Sequence, residues 1–284
     1  MTNTYIFDTL IRDAAEAPLE GWDFPYLAGR KTDIELPWDY TAIIRSRMEH
    51  ADSMLDLGTG GGEFLSSLAP FPFHTCATEG YPPNIGVARK RLDPLGIEVH
   101  DTTADPSNQH LPFTDGEFDL VIDRHDEYVA AEVFRVLRAG GHFITQQCGG
   151  YGEAQLIEWL TGKGAVKPLD WTAVVAVGEL QEAGFRITNA QEAYPEYSFL
   201  DVGAVVYDLR ARPWIVKDFS VQKYRDRLLA MHEYIQKHGC FTVKDQRFLV
   251  EAVKPPASAR QEAQPSCSAD AENRAASLRG SPRG

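Results

Sequence analysis

Asp56 and the glycines at 58, 60, 61 and 62 are the residues of this 284-residue chain whose types and spacing are best arranged for chemistry. They stand in the run MLDLGTGGGEFL, residues 54–65. Glycine permits a positive φ and leaves no Cβ where a ligand must approach the backbone. An apolar run before the turn and a helix start at Glu63 read as strand, tight turn and helix. That geometry lets a ligand lie against bare backbone N–H groups. Dinucleotide-binding enzymes use a similar turn. Asp56 separates the two possibilities. A carboxylate two residues before the first glycine has no use facing a pyrophosphate, whereas it suits a cationic ligand that carries an amino acid. Glu79 ends a second apolar run, 74–78, and an acid there can accept two ribose hydroxyls. Both ligand classes share that feature.

A second polar group follows a later apolar run: Asp123, Arg124, His125, Asp126, Glu127 and Tyr128. Histidine, with an unperturbed pKa of about 6.5, suits removal of a proton from a hydroxyl or amine near neutrality. His125 is therefore either a general base or a structural, substrate-orienting residue. Asp126 and Glu127 are expected to cap the next helix through its dipole. Arg124 either binds an anionic substrate group or pairs with one of the chain's many carboxylates.

The elements that must position these residues follow from periodicity. Apolar runs at 54–57, 74–78, 97–100, 118–123 and 142–147 read as strands, and the fourth fits a strand buried on both faces. Helical patterns intervene at 83–92 and 129–138. This alternation predicts a parallel sheet with right-handed crossovers. Upstream, Ile6, Phe7, Leu10, Ile11 and Ala14 have helical spacing, as do residues 41–49. Between them Trp22, Phe24, Tyr26, Trp38 and Tyr40 are interleaved with Asp23, Arg30 and Asp39. Downstream, helices are predicted at 156–160, 172–183 and 201–212, with a strand starting at Phe185. Ser220 is expected to cap a helix carrying Val221, Tyr224, Leu228, Met231 and Ile235 on one face, ended by Gly239. Residues 247–254 read as the last strand. From 255 onward Pro, Ser, Ala, Arg and Gly dominate, which predicts a disordered tail.

Composition limits the partners. Hydrophobic content of 43% supports a full core, and the net charge of −13 belongs to the body, because the tail is close to neutral. Such a body repels phosphate backbones, so a nucleic-acid substrate is disfavoured. The densest basic cluster, Arg89-Lys90-Arg91, reads as a solvated helix face. Cys76, Cys148, Cys240 and Cys267 are widely spaced and contain no C-x-x-C pair, so neither a metal site nor a disulfide framework is expected. The N-terminus lacks a basic region followed by an apolar run, and no apolar stretch is long enough to span a bilayer. A soluble, cytoplasmic protein is expected.

Further motifs extend the glycine turn. LPFTDGEFDLVID (111–123) is followed by VLRAGGHFIT (136–145). In order and spacing these resemble the fourth- and fifth-strand motifs of the class I S-adenosylmethionine (SAM)-dependent methyltransferases. The resemblance is strongest over about residues 50–150. A looser likeness to a group of bacterial methyltransferases described only generically, carried by the "GWDF" at 21–24 and the motifs after it, extends over most of residues 5–254 and carries no substrate. Ala139 stands where proline is usual before the Gly-Gly pair.

The resemblance implies an α/β fold: a Rossmann-like, seven-stranded, mostly parallel sheet with an antiparallel last strand and helices on both faces. Residues 1–50 would form a helical and aromatic cap, 51–254 the methyltransferase domain, and 201–239 a helical insertion over the substrate side. The cofactor implied is SAM. Asp56, Gly58 and Gly60 would meet its methionine portion, and Glu79, followed by Gly80, its ribose. Tyr81 would pack on adenine or remain a surface aromatic. The acid that binds the adenine amino group in this family falls at Ser107 here, which leaves Asp105 as the substitute, with Asp101 further off. Arg30 holds the methionine carboxylate if the aromatic segment is a lid; otherwise that segment only packs on the sheet edge. The asparagine-proline-proline-tyrosine tetrad of nucleobase amino-methyltransferases is absent. Methyl transfer to a small-molecule acceptor is the reading that follows. Its rivals are an RNA-directed methyltransferase, a non-catalytic SAM-binding regulatory protein and, on the same fold, a nicotinamide-dependent oxidoreductase.

Overall fold

The glycine turn joins β1 (Ser53–Leu57) to the short helix α3 (Glu63–Ser66), and every other element of the domain is arranged around that junction. The molecule is described by a computed structural model that covers residues 3–256 except 20, 21, 23, 165 and 167–169. Of the expected disordered tail, residues 257–284 lie outside the described residues.

β1, β2 (His74–Glu79), β3 (Glu98–Asp101), β4 (Phe118–Arg124), β5 (Leu137–Cys148), β6 (Arg186–Ala193) and β9 (Arg247–Val253) form one sheet in the order β3-β2-β1-β4-β5-β9-β6. β1 pairs in parallel with β2 and β4, and β4 in parallel with β5. β9 enters antiparallel between β5 and β6. This is the seven-stranded, mostly parallel sheet implied by the motifs. The chain turns outward to β2 and β3, then returns to β4 on the other side of β1. Ligands bind at such a switch point, outside the carboxyl ends of the strands.

Side-chain alternation explains why both faces are covered. Met54, Leu120, Ile122 and Ile144 pack with Tyr40, Ile44 and Met48 of α2 (Tyr40–Met48), Leu65 of α3, and Ala88 and Leu92 of α4 (Pro82–Leu92). The residues between them, Leu55, Leu57, Val121 and Phe143, face Val133 and Val136 of α5 (Ala130–Val136) and Ala176 and Leu180 of α7 (Ala173–Glu182). Phe118, Phe143 and Phe248 are wholly buried, and burial of such a side chain stabilises the fold by about 1.5–3 kcal/mol.

A third core lies apart from the sheet. α1 (Asn3–Glu16), α6 (Ala154–Thr161), α8 (Val202–Ala211) and α9 (Arg225–His238) bury Phe7, Leu156, Val205, Tyr207, Leu228 and Met231 together. The N-terminal helix and the insertion thus share one core. A two-stranded ribbon, β7 (Glu196–Phe199) with β8 (Phe241–Lys244), closes the base of the insertion; the sequence pattern does not announce it. The last helix starts later than its apolar spacing predicts. Ser220 accepts a hydrogen bond from the Lys223 N–H at 3.2 Å in a turn, and the helix begins only at Arg225. Val221 and Tyr224 belong to the core but not to that helix.

Candidate cofactor and catalytic site

Gly58, Gly60 and Gly62 have φ values of 61°, 65° and 78°, in the left-handed region that side chains other than glycine's resist. Hydrogen bonds pin the turn to β2: Gly58 N–H donates to Thr78 Oγ1 at 3.2 Å and Thr59 N–H to the Thr78 carbonyl at 2.9 Å. The absence of Cβ atoms is used. One at Gly58 would run into the Asp126 carboxylate, and one at Gly60 would lie 2.5 Å from Trp22 Cδ1. One at Gly80 would lie 3.1 Å from Pro106 Cα.

Four carboxylates converge here. Asp56, Glu79 and Asp123 are buried at the carboxyl ends of β1, β2 and β4, and Asp126 is half-buried beyond β4. Burial pushes Asp56 up to about 7, helped by repulsion from Asp126 and Glu79. Burial likewise takes Glu79 to about 7 and Asp126 to about 6, and raises Asp123 well above the usual carboxylate range. Neutral donors hold them. Tyr81 N–H donates to Glu79 at 2.7 Å. Asp126 N–H and Gln147 Nε2 each donate to Asp123 at 3.0 Å. Among the described residues none of the four is ion-paired. Such a cluster favours a cation brought by a ligand.

Asp126 and Glu127 do not cap the following helix. Val129 is the N-cap of α5 and no side chain caps it. The Asp126 side chain instead turns back to Gly58 and accepts from Asn108 Nδ2 at 3.2 Å. Asn108, which sequence reasoning missed, also donates to the Glu127 carbonyl at 2.7 Å. It sits at φ 54°, 2% exposed, with its Oδ1 buried and unpartnered among the described residues. A buried asparagine in a left-handed turn leaves no periodic signal. Asp105 opens the same loop, but its carboxylate accepts from the His110 N–H at 2.7 Å. Asp101 is likewise turned to its own loop, at 2.9 Å from Thr103 N.

His125 has φ 72°, in the left-handed region that residues other than glycine rarely adopt, and strain of this kind gathers at functional sites. Its ring is reachable by solvent, yet enough protein surrounds it that desolvation leads the causes holding its pKa well below the usual value, followed by Arg247 and Arg124. Cys148 shares both properties, its thiol being raised by burial. The two stand side by side at the ends of β4 and β5. Trp38 Nε1 donates to Gln146 Oε1 at 2.8 Å, which turns the Gln146 amide nitrogen toward His125 Nε2 at 3.5 Å. His125 Nδ1 stands 3.5 Å from Cys148 Sγ.

The structure brings Asp56, Gly58, Gly60, Glu79 and Gly80 together, with His125 beside them at the end of β4. Arg30 is committed elsewhere. It makes two hydrogen bonds to Asp201, at 2.7 and 2.6 Å, and lies 4.1 Å over the Tyr26 ring. The aromatic segment divides in two. Trp38 and Tyr40 are buried against the sheet, the Tyr40 hydroxyl donating to the Asp123 carbonyl at 2.9 Å. Trp22 leans on Gly60, its ring 5.9 Å from that of Trp214 in the insertion. Tyr81 is 59% exposed. Arg124 lies 4.4 Å over the Phe64 ring.

Strand order and switch-point turn are those of the class I SAM-dependent methyltransferase fold. Residues 55–145 match the family described as "Methyltransferase domain". A demethylmenaquinone methyltransferase from Thermus thermophilus is 30% identical over 120 residues, 39% of this chain and 53% of that protein. The human EEF1A lysine methyltransferase 2 is 29% identical over 126 residues, again 39% of this chain and 53% of that protein. The chain thus spans about half the length of these curated relatives. Among solved structures, the Bacillus subtilis YcgJ protein superposes with a TM-score of 0.53 at 15% identity, over 76% of this chain and 98% of that one. A Bacillus halodurans protein gives 0.51 at 19%, over 76% and 97%. These two speak for the fold.

The residues present fit SAM. The turn offers backbone where a Cβ would collide, the ring of acids answers a sulfonium and an ammonium, and Asn108 Oδ1 is an unused buried acceptor.

Proposed function

We propose that the protein transfers a methyl group from SAM to a small-molecule acceptor, with His125 as the general base. The observation that carries this reading is the cluster of carboxylates around the glycine turn, three of them buried and none ion-paired among the described residues, with an exposed histidine just beyond the end of β4. SAM, when bound, supplies a methyl group already activated on a sulfonium.

The chain's residues do the rest. Asp56 holds the ammonium of the amino-acid end, Glu79 the ribose hydroxyls, and Asn108 Oδ1 or Asp105 the exocyclic amine of adenine. Trp22 closes over Gly60 and excludes water. Positioning of this kind supplies up to about 7–11 kcal/mol. Neutral His125 takes the acceptor's proton at Nε2, adding roughly 10²–10⁴-fold. Desolvation, with Arg247 and Arg124, keeps the imidazole unprotonated, and the Gln146 amide, oriented by Trp38, holds the Nε2 lone pair until the acceptor's own O–H or N–H displaces it.

A small acceptor is supported by the acidic body, which opposes RNA, and by the aromatic pair Trp22 and Trp214 next to the glycine turn. One relative is named for demethylmenaquinone and the other for a protein lysine. Among the described residues no helix is long and apolar enough to cross a membrane. The test is release of S-adenosylhomocysteine (SAH) across small-molecule, peptide and RNA acceptors. Turnover with a small acceptor alone is the expected result. Turnover only with RNA or protein overturns the acceptor class, and SAH binding without turnover on any acceptor returns the regulatory reading.

A further inference from the structure

With Arg30 tied to Asp201, the carboxylate of the cofactor's amino-acid end has no partner among the residues assigned above. Register supplies one. β1 and β4 run parallel with Asp56 beside Ile122 and Leu57 beside Asp123. Arg124 is therefore the strand residue that lies alongside the start of the glycine turn. Alternation puts Ile122 and Arg124 on the same face of β4, and Asp56 on that same face of β1. Adjacent strands are about 4.8 Å apart, so Asp56 and Arg124 are diagonal neighbours at the mouth of the site.

The two do not meet in an ion pair among the described residues. Their charges are nonetheless felt across the gap, for Arg124 is one of the groups that draws the Asp56 pKa downward against burial. The guanidinium is exposed and rests 4.4 Å above the ring of Phe64, on the helix that follows the glycines. That stacking fixes the plane of the guanidinium, whose N–H groups have no hydrogen-bond partner among the described residues. Other cations near the turn are engaged: Arg91 with Glu63 at 3.3 Å, and Arg89 with the Val99 carbonyl at 3.3 Å. A negative and a positive group, one diagonal step apart at the start of the glycine turn, form the complement of an α-amino-acid zwitterion.

We propose that Arg124 binds the carboxylate of the cofactor's amino-acid end while Asp56 binds its ammonium, so that the pair brackets the zwitterion across the β1–β4 crevice. The assignment rests on the SAM reading of this site. It also gives Arg124 a role that the position alone leaves open, since a residue after the fourth strand can equally face an acceptor.

Two ligands that differ only at that end make the test. SAH carries the amino acid; 5′-methylthioadenosine has the same nucleoside and thioether without it. Both are titrated by calorimetry into the wild-type chain, Arg124→Gln and Arg124→Lys. The wild type should prefer SAH. Arg124→Gln should lose about 10- to 100-fold in SAH affinity, the range of a charge-assisted hydrogen bond, with 5′-methylthioadenosine unchanged within about twofold. Arg124→Lys should recover part of the loss, because charge is kept and the planar fork is not. Unchanged SAH affinity in Arg124→Gln overturns the proposal, as does an equal loss for both ligands, which marks a structural role. A wild-type chain that binds neither ligand overturns the SAM reading itself, a result distinct from the other two.

Discussion

Replacing Asp56 by asparagine separates what this residue costs the fold from what it contributes to the site. Asp56 is 3% exposed, and burial raises its carboxyl from 3.8 to about 7. A raised acid holds its proton more tightly in the folded chain than in the unfolded one. Between the two pKa values the native state therefore binds more protons, and stability falls as pH rises through that window. About three pH units at about 1.36 kcal/mol each give about 4 kcal/mol as an upper bound at pH 8. Asparagine keeps the shape and carries no charge. Ligand-free Asp56→Asn should be more stable than wild type by roughly 2–4 kcal/mol at about pH 8, and the gain should shrink below about 1 kcal/mol near pH 4.5. Urea unfolding at the two pH values measures both differences. SAH affinity, measured on the same samples, should fall as stability rises, the exchange expected of a site that holds charge for its ligand. A variant less stable than wild type at pH 8, or a gain that does not depend on pH, would refute the argument.

Three further outcomes are expected. Gly58→Val should abolish SAH binding in calorimetry, because φ is 61° there and the added Cβ strikes the Asp126 carboxylate; full affinity would remove the turn from the site. His125→Ala should lower turnover roughly 10²–10⁴-fold with SAH affinity nearly intact, and a fully active variant would take His125 out of the mechanism. Arg30→Ala should cost about 1–3 kcal/mol in denaturant unfolding through loss of its bonds to Asp201, with SAH affinity unchanged. A large loss of affinity in that variant would return Arg30 to the cofactor.

Much of the fold was legible because its signals are local. Apolar runs over 54–57 and 118–123, the glycines between strand and helix, and acids placed at strand ends are each signals carried within a few residues. They predict the parallel core and identify Asp56 and Glu79 before any packing is known. Other signals misled for a physical reason. The 3-4 spacing of Val221, Tyr224 and Leu228 records burial, not helix, and a turn that buries the same face satisfies it equally. The ribbon of β7 and β8 was silent, because four-residue strands are too short to show a period.

By itself the sequence determined the local frame of the candidate site: a turn that only glycine can make, an acid before it and another at the end of the second strand. Tertiary structure decided which distant charges answer that turn. It sent Arg30 to Asp201, folded Asp126 back onto Gly58, tied Asn108 to Asp126, and set Arg124 beside the glycines through strand register. No spacing in the chain encodes those choices. They follow from which strands pair and which faces are buried, and a charged side chain takes its partner only after the backbone has brought one within reach.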